Sequence, residues 1–294
     1  VNEFYVFAIL SLLKKDMQKI ILLLICLQFI TSCSKDDDEQ VTFKKDFVQL
    51  STHKLRTYSI EKNSNYLIVF ESGLGDDHSV WKTQKVAEEI SHSMDVVIYD
   101  RAGYGESTLD SNPRNIDRLT TELEAVVNKY ANGRKVILVG HSLGGLIIRD
   151  FAIKNPNKTA GLLFVDPSHE NYNQPTQEIE NIVFDAFNDA YGSNFGGTKE
   201  ARELIEDFAY TSSLPNLPNV PIVVLTSMKL DQANNTTDQT YGKTRQDWYD
   251  AHEQLHNGVT DFTHVETINA GHYIMLEEPH LVIDNLTLII SKLP

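Results

Sequence analysis

Lys135–Gly145 reads K-V-I-L-V-G-H-S-L-G-G, and the fold of the chain is decided there. Val136 to Val139 are four apolar residues, rich in β-branching and too few for a helix, so they predict a fully buried parallel strand. Gly140-His141-Ser142-Leu143-Gly144 follows at once, and then a helical run carrying Leu146, Ile147, Ile148, Phe151 and Ala152. Strand, G-x-S-x-G and helix in that order form a nucleophile elbow. Ser142 must sit on a turn so sharp that its backbone is strained, and only glycines two residues to either side leave room for it. Such a turn lifts Oγ above the sheet edge and aims the first amides of the helix at the reacting centre. A bare G-x-S-x-G is a weak signal; the flanking strand and helix make this one specific.

Far upstream, residues 1–16 do not read as the start of a domain, and Met17 is the expected initiator. From Met17 the pattern is a short basic region with Lys19, the apolar run Ile20–Ile30, and then Thr31-Ser32-Cys33. That run falls short of the about 20 residues a membrane span needs, but it suits the core of an export signal. Ile30-Thr31-Ser32-Cys33 resembles the lipobox of bacterial lipoproteins, which implies lipidation of Cys33 as the mature N-terminus. Ser34-Lys35-Asp36-Asp37-Asp38-Glu39 follows, an acidic tether that cannot pack. It resembles the sorting signal that sends some Gram-negative lipoproteins to the cell surface. The expected organisation is therefore signal at 1–32, tether at 33–40 and one domain at 41–294. The resemblance implies an exported protein, lipid-anchored to a bacterial membrane, the outer membrane first among the candidates.

The chain carries a net charge of −15, and losing residues 1–32, with three lysines against Glu3 and Asp16, makes it −16. Such a balance argues against nucleic acid and against polyanionic substrates. Cys26 would leave with the signal and Cys33 would be acylated, so no internal disulfide is possible and stability must come from the core. Residues 41–294 are enough for one large domain.

Within that domain, Val41–Leu50 and Leu55–Ile60 predict two antiparallel edge strands, and Tyr66–Phe70 a buried strand. A helix is expected over about Val80–Ile90, then a strand at Val96–Tyr99. Ile116, Leu119, Leu123, Val126, Val127 and Tyr130 recur at spacings of three and four, one face of a helix. Strands follow at Gly161–Val165, Ile222–Leu225 and Val265–Ile268, with a closing helix from about Pro279 to Lys292. Strands alternating with helices imply a mostly parallel sheet covered on both faces.

Five motifs stand in order at the ends of these strands: E-S-G-L-G-D (71–76), D-R-A-G-Y-G-E-S (100–107), G-H-S-L-G-G (140–145), V-D-P-S-H-E (165–170) and A-G-H-Y-I (270–274). With them the chain resembles the α/β-hydrolase fold from about Val41 to its C-terminus. The resemblance implies an α/β fold with a mostly parallel eight-stranded sheet, helices on both faces, and a helical lid insertion at about 171–219. Two amphipathic stretches fall in that insertion. One carries Ile179, Ile182, Val183, Ala186, Phe187 and Ala190, and the other Ala201, Leu204, Ile205 and Phe208. Their apolar faces are expected to cover the mouth of the site.

Acyl transfer needs a nucleophile, a base, a group that orients the base, and donors for the oxyanion. The resemblance assigns Ser142 as nucleophile and His272 of A-G-H-Y as base. It assigns the backbone N–H groups of Leu143 and Leu74 as the oxyanion hole. Many relatives have His-Gly where this chain has Ser72-Gly73, which raises the question of what keeps that loop rigid. His141 reads as structural, His169 as a residue able to line the site, and Asp100 and Arg101 as ties beneath it. The acid has two candidates. Asp166 stands directly at the end of the sixth strand, where an orienter would be held firmly. Asp231 follows the seventh strand, about one residue later than the usual pattern, in an asparagine-rich loop. Asp166 is the preferred reading, with a turn or helix-capping aspartate before Pro167 as its bland alternative.

One motif competes. His252-Glu253-Gln254-Leu255-His256 is a literal H-E-x-x-H, the signature of zinc proteases. The longer metzincin form fails at Val259, and a third ligand would have to be Glu277 or Glu278. The preferred reading is a solvated helix before the last strand, so no metal and no cofactor is expected.

Serine at the elbow sets aside the haloalkane dehalogenase and epoxide hydrolase chemistries of the fold, which use aspartate there. The expected activity is hydrolysis of a carboxylic ester or similar acyl substrate, small or medium in size and uncharged or cationic, through an acyl-enzyme. C–C hydrolase, haloperoxidase and acyltransferase activities remain on the same triad, and a surface lipoprotein that binds a ligand without turnover is the rival from another class. The expected partners are thus the acyl substrate and, through Cys33, a membrane.

Overall fold

The structure, a computed structural model, describes residues 41–230, 237–238 and 241–294. Eight strands form one sheet: β1 (Lys44–Gln49), β2 (Lys54–Ile60), β3 (Leu67–Glu71), β4 (Asp95–Tyr99), β5 (Val136–His141), β6 (Thr159–Val165), β7 (Ile222–Ser227) and β8 (Phe262–Thr267). Their spatial order is β1-β2-β4-β3-β5-β6-β7-β8. β1 and β2 pair antiparallel, β2 pairs antiparallel with β4, and every later neighbour is parallel. The second strand is thus interior; of the first two strands only β1 is an edge, which corrects the expectation of two edge strands there, and the opposite edge is β8.

The helices are α1 (Val86–Ser91), α2 (Ile116–Tyr130), α3 (Leu143–Lys154), α4 (Gln177–Tyr191), α5 (Gly196–Glu200), α6 (Leu204–Thr211), α7 (Arg245–Glu253), α8 (Ile274–Glu277) and α9 (Pro279–Ser291). Successive strand residues point to opposite faces, and the core divides accordingly. Leu67, Val69, Val136 and Leu138 join α2 and α3 on one face. Ile68, Phe70, Ile137 and Val139 join α1 and α9 on the other. Each fully buried Val, Leu or Ile contributes roughly 1.5–3 kcal/mol of transfer free energy, so these two layers can hold the domain without cross-links. Among the described residues no helix is long and apolar enough to cross a membrane.

The single helix expected over Val80–Ile90 is broken. A 3₁₀ turn spans His78–Trp81, α1 starts at Val86, and Lys85 between them has φ 59°. At about 100° per residue, one continuous helix would set Trp81 and Ile90 on opposite sides. Both are buried here, Trp81 completely, and the break is what allows it.

The parallel strands all end on one side, and the order reverses around β3, which lies between β4 and β5. Crevices outside the carboxyl ends of strands at such a switch are where α/β sheets bind ligands. The chain segments after β3, β5, β6 and β8 converge there.

Candidate active site

Ser142 caps the N-terminus of α3 at φ 52°, ψ −121°. A Cβ added at Gly144 would lie 2.5 Å from the Glu71 carbonyl oxygen, so only glycine lets the first turn of α3 pass this close to β3. The bend is fastened from both sides: Ser142 N–H donates to Val165 O (3.3 Å), and Ser142 O accepts from Gly145 N–H (2.9 Å) and Ser168 N–H (3.0 Å). Among the described residues five non-glycines have positive φ, and two of them are Ser142 and Asp166 (φ 44°). Strain of this kind persists where the surroundings over-determine it, and it clusters at functional sites.

Asp166 follows β6 and is completely buried. Its Oδ2 lies 2.7 Å from His272 Nδ1, while its Oδ1 accepts from Ser227 N–H and from Trp248 Nε1–H, both at 2.8 Å. Burial pushes the carboxyl pKa up, but the hydrogen bond and charge of His272, with His252 and the Trp248 donor, hold it below the usual aspartate value. Asp166 is therefore a fixed carboxylate that accepts three hydrogen bonds. A carboxylate only accepts, so the proton lies on His272 Nδ1 and Nε2 is left free to act as a base. The His272 side chain is 42 % exposed against 1 % for Asp166, which leaves the imidazole reachable by a substrate. Asp231 lies outside the described residues, as does Cys33.

His141, fully buried beside the serine, meets the other side of the histidine loop. Its Nε2 lies 3.0 Å from His272 O, which can only accept, so Nε2 carries the proton. Its ring centroid is 4.6 Å from that of His272. Burial pulls the His141 pKa down, with neighbouring His272 acting in the same direction, so the ring supports the loop as a neutral donor. Ser142 Oγ makes no hydrogen bond to His272 among the described residues; such contacts are often loose without substrate.

The loop after β3 stands against the elbow. A Cβ added at Gly73 would be 3.2 Å from Ser142 Cβ and 2.8 Å from His141 Nδ1. Among the described residues neither Leu74 N–H nor Leu143 N–H has a backbone acceptor. The rigidity that Ser72-Gly73 put in question has two sources. Ser72 Oγ donates to Asp77 O (3.1 Å) and accepts from Trp81 Nε1–H (3.2 Å). Arg101 donates to Ser72 O (2.6 Å) and Gly73 O (2.7 Å). From the insertion, the Phe187 ring of α4 comes so near Gly75 that an added Cβ would lie 2.8 Å from it.

The H-E-x-x-H segment is not the solvated helix that its charges suggest. His252 is completely buried, with Nδ1 2.6 Å from Thr226 Oγ1 and Nε2 2.6 Å from Pro167 O. Its ring packs 4.3 Å from Trp248, the donor to Asp166. His256 instead closes a 3₁₀ turn and bonds Glu253 O at 2.5 Å. The two histidines do not converge, and both ring nitrogens of His252 are occupied. This helix braces Asp166 from below. His169 is buried, accepts from Asn171 N–H (3.1 Å) and has its pKa pulled down to about 3 by burial, so it too is structural. Beside His272 opens a cavity of about 490 Å³, lined by Asp166, Ser227, Lys229, Arg245 and Trp248 among others.

Sequence reasoning missed Trp248 and Ser227. Trp248 had one available signal, its place four residues before His252 on one helix face.

The model of the alpha/beta hydrolase family matches residues 68–285. An uncharacterized protein of Bacillus subtilis (strain 168), YqjL, is 25 % identical over 231 residues, covering 75 % of this chain and 81 % of that protein. A thermophilic esterase from Thermogutta terrifontis superposes with a TM-score of 0.66 at 18 % identity, over 85 % of this chain and 98 % of that one. The epoxide hydrolase CorEH superposes at 0.63 and 15 % identity, over 85 % and 99 %. Eight strands in the stated order, a strained serine between β5 and α3 and the match over residues 68–285 place this chain in the alpha/beta hydrolase family.

Proposed function

We propose that the protein is a serine hydrolase that cleaves a carboxylic ester or similar acyl substrate through an acyl-enzyme. The observation that carries this reading is the 2.7 Å contact of His272 Nδ1 with the buried Asp166 carboxylate, on the loop facing the Ser142 elbow. His272 Nε2 takes the Ser142 Oγ proton as Oγ attacks the acyl carbon. The oxyanion meets the N–H groups of Leu74 and Leu143, and collapse of the tetrahedral intermediate expels the alcohol, protonated by His272. Water then repeats the sequence and releases the acid. Donors already in place cost no reorganisation, and losing one typically costs about 10²–10³ in rate. Ser142 where the epoxide hydrolase chemistry requires aspartate argues against that activity here.

Lys229 and Arg245 line the cavity beside His272. Lys229 is paired with Glu277 at 2.7 Å and the buried Asp166 carboxylate shares the same wall, so the expectation of an uncharged or cationic ester stands. Neutral p-nitrophenyl esters are the appropriate first probe. The purified domain should hydrolyse them without added metal and should be labelled by a fluorophosphonate, both activities vanishing in Ser142→Ala. A wild-type protein that does neither would favour the ligand-binding reading.

A further inference from the structure

We propose that Glu200, on the insertion between β6 and β7, is a positioning residue for the oxyanion hole; this rests on the serine-hydrolase reading above. Arg101 is completely enclosed and its five N–H groups are all used. Nη1 donates to Glu71 Oε1 (2.8 Å) and Ser72 O (2.6 Å), Nη2 to Gly73 O (2.7 Å) and Glu200 Oε2 (2.9 Å), and Nε to Glu200 Oε1 (3.0 Å). Three of these acceptors thus belong to the segment leading into Leu74 and two are the two oxygens of one carboxylate, while Nη2 also makes a longer contact, 3.4 Å, with Tyr104 OH. A bidentate carboxylate fixes the plane of a guanidinium as well as its position. Glu200 therefore determines where Arg101 holds the carbonyls that precede the Leu74 amide.

A second arm reaches the far side of that amide. Tyr104 OH donates to Glu200 Oε2 (2.6 Å) and accepts from Gly75 N–H (3.2 Å). The Leu74 peptide is bracketed by Gly73 O on one side and Gly75 N–H on the other, and both brackets end on the same carboxylate. α5 is itself docked on the loop that supplies these two partners, with Gly196 N–H donating to Gly103 O (3.1 Å). Glu200 is fully buried and lies outside hydrogen-bond contact with Ser142, Asp166 and His272, so its influence on the chemistry runs through Arg101 and Tyr104.

Glu200→Gln replaces one acceptor oxygen by an NH₂ group that faces an Arg101 N–H at either position, and at the Oε2 position the Tyr104 hydroxyl as well. The expected result on a p-nitrophenyl ester is a fall in kcat of about 10–100-fold, below the loss of a whole donor, with KM changed less than about threefold. A trifluoromethyl ketone, whose adduct places an oxyanion in the hole, should lose affinity by the same factor as kcat/KM. Glu122→Gln is the comparison: Glu122 is paired with Arg114 at 2.7 and 2.9 Å, accepts from Ala102 N–H at 3.5 Å, and reaches Glu200 only through the longer Arg114 Nη2–Glu200 Oε1 contact of 3.4 Å. It should leave kcat and ketone affinity near wild type. Tyr104→Phe, which removes one hydroxyl, should lower kcat about 3–10-fold and keeps the test available if Glu200→Gln does not fold. The proposal fails if Glu200→Gln and Tyr104→Phe retain wild-type kcat and ketone affinity, or if Glu122→Gln loses as much as Glu200→Gln. Those failures leave a wild type that still labels at Ser142. Absence of labelling in the wild type would instead sink the hydrolase reading and this proposal with it.

Discussion

Trp248 donates its indole N–H to Asp166 Oδ1 at 2.8 Å, on the carboxylate whose other oxygen faces His272. The indole therefore shares in fixing Asp166, together with the Ser227 amide. Trp248→Phe keeps the ring bulk and removes the donor. A hydrogen bond to a charged group is worth about 1.5–3 kcal/mol, and only part of that reaches the barrier because the Ser227 donor remains. Turnover should fall about 3–30-fold with KM nearly constant, measured on a p-nitrophenyl ester. Unchanged turnover would mean that Asp166 is held well enough without the indole.

The identity of the acid is tested by two substitutions made side by side. In a serine protease the equivalent Asp→Asn change lowers turnover about 10⁴-fold because the histidine takes the wrong tautomer. Asp166→Asn should produce a loss of that order, and Asp231→Asn should stay near wild type. The reverse pattern, with both variants folded, would transfer the role to Asp231.

Gly144→Ala tests the elbow. The added methyl meets the Glu71 carbonyl oxygen at 2.5 Å, a backbone atom that cannot rotate away. Either β3 or the first turn of α3 must shift, carrying Ser142 or the loop that presents Leu74. Overpacking of this kind typically costs about 1–3 kcal/mol, and the variant should lose most of its activity before it loses its fold. Fluorophosphonate labelling rate and circular dichroism on the same sample separate the two.

The sheet and the elbow were legible because β3, β4, β5 and β6 are buried on both faces and write themselves as continuous apolar runs. Asp166 could be placed because it directly follows β6, whereas His272, five residues beyond the end of β8, was placed by the family resemblance alone. His252 was misread, since R-Q-D-W-Y-D-A-H-E-Q has the composition of a surface helix. What buries its Trp248–His252 side is a set of partners, Asp166, Pro167 and Thr226, that lie far away in sequence. Glu200 was invisible for the same reason. Its partner Arg101 stands 99 residues upstream, and a buried ion pair leaves no local periodicity. The break at Lys85 was missed because apolar spacing alone does not reveal that Trp81 and Ile90 must both turn inward.

The anchor at Cys33 is a proposal from sequence. Cys33→Ala should leave a soluble or unprocessed protein when cells are fractionated. A variant that partitions with membranes as the parent does would refute lipidation at that cysteine.

Asp207 gives a pH dependence with a definite sign. It lies on α6 and is nearly fully buried; Oδ1 accepts from Ile116 N–H at the start of α2 (2.8 Å), and Oδ2 has no partner among the described residues. Burial pushes its pKa from 3.8 up to about 8. The Ile116 amide opposes the rise, and Glu203, Glu200 and Glu206 add to it. A folded pKa raised above the unfolded one means that the folded state binds the extra proton in the window between them. The contribution is therefore fully present below pH 3.8 and is lost as pH climbs to about 8. Asp207→Asn keeps an acceptor for Ile116 and removes the titration. The stability of the variant relative to wild type should rise across that window, by no more than about 1.4 kcal/mol per pH unit, and level off above it. Urea midpoints at pH 5, 7 and 9 for both proteins measure this directly. Parallel curves for the two would show that Asp207 is already ionised in the folded protein and that the carboxylate finds compensation at the N-terminus of α2.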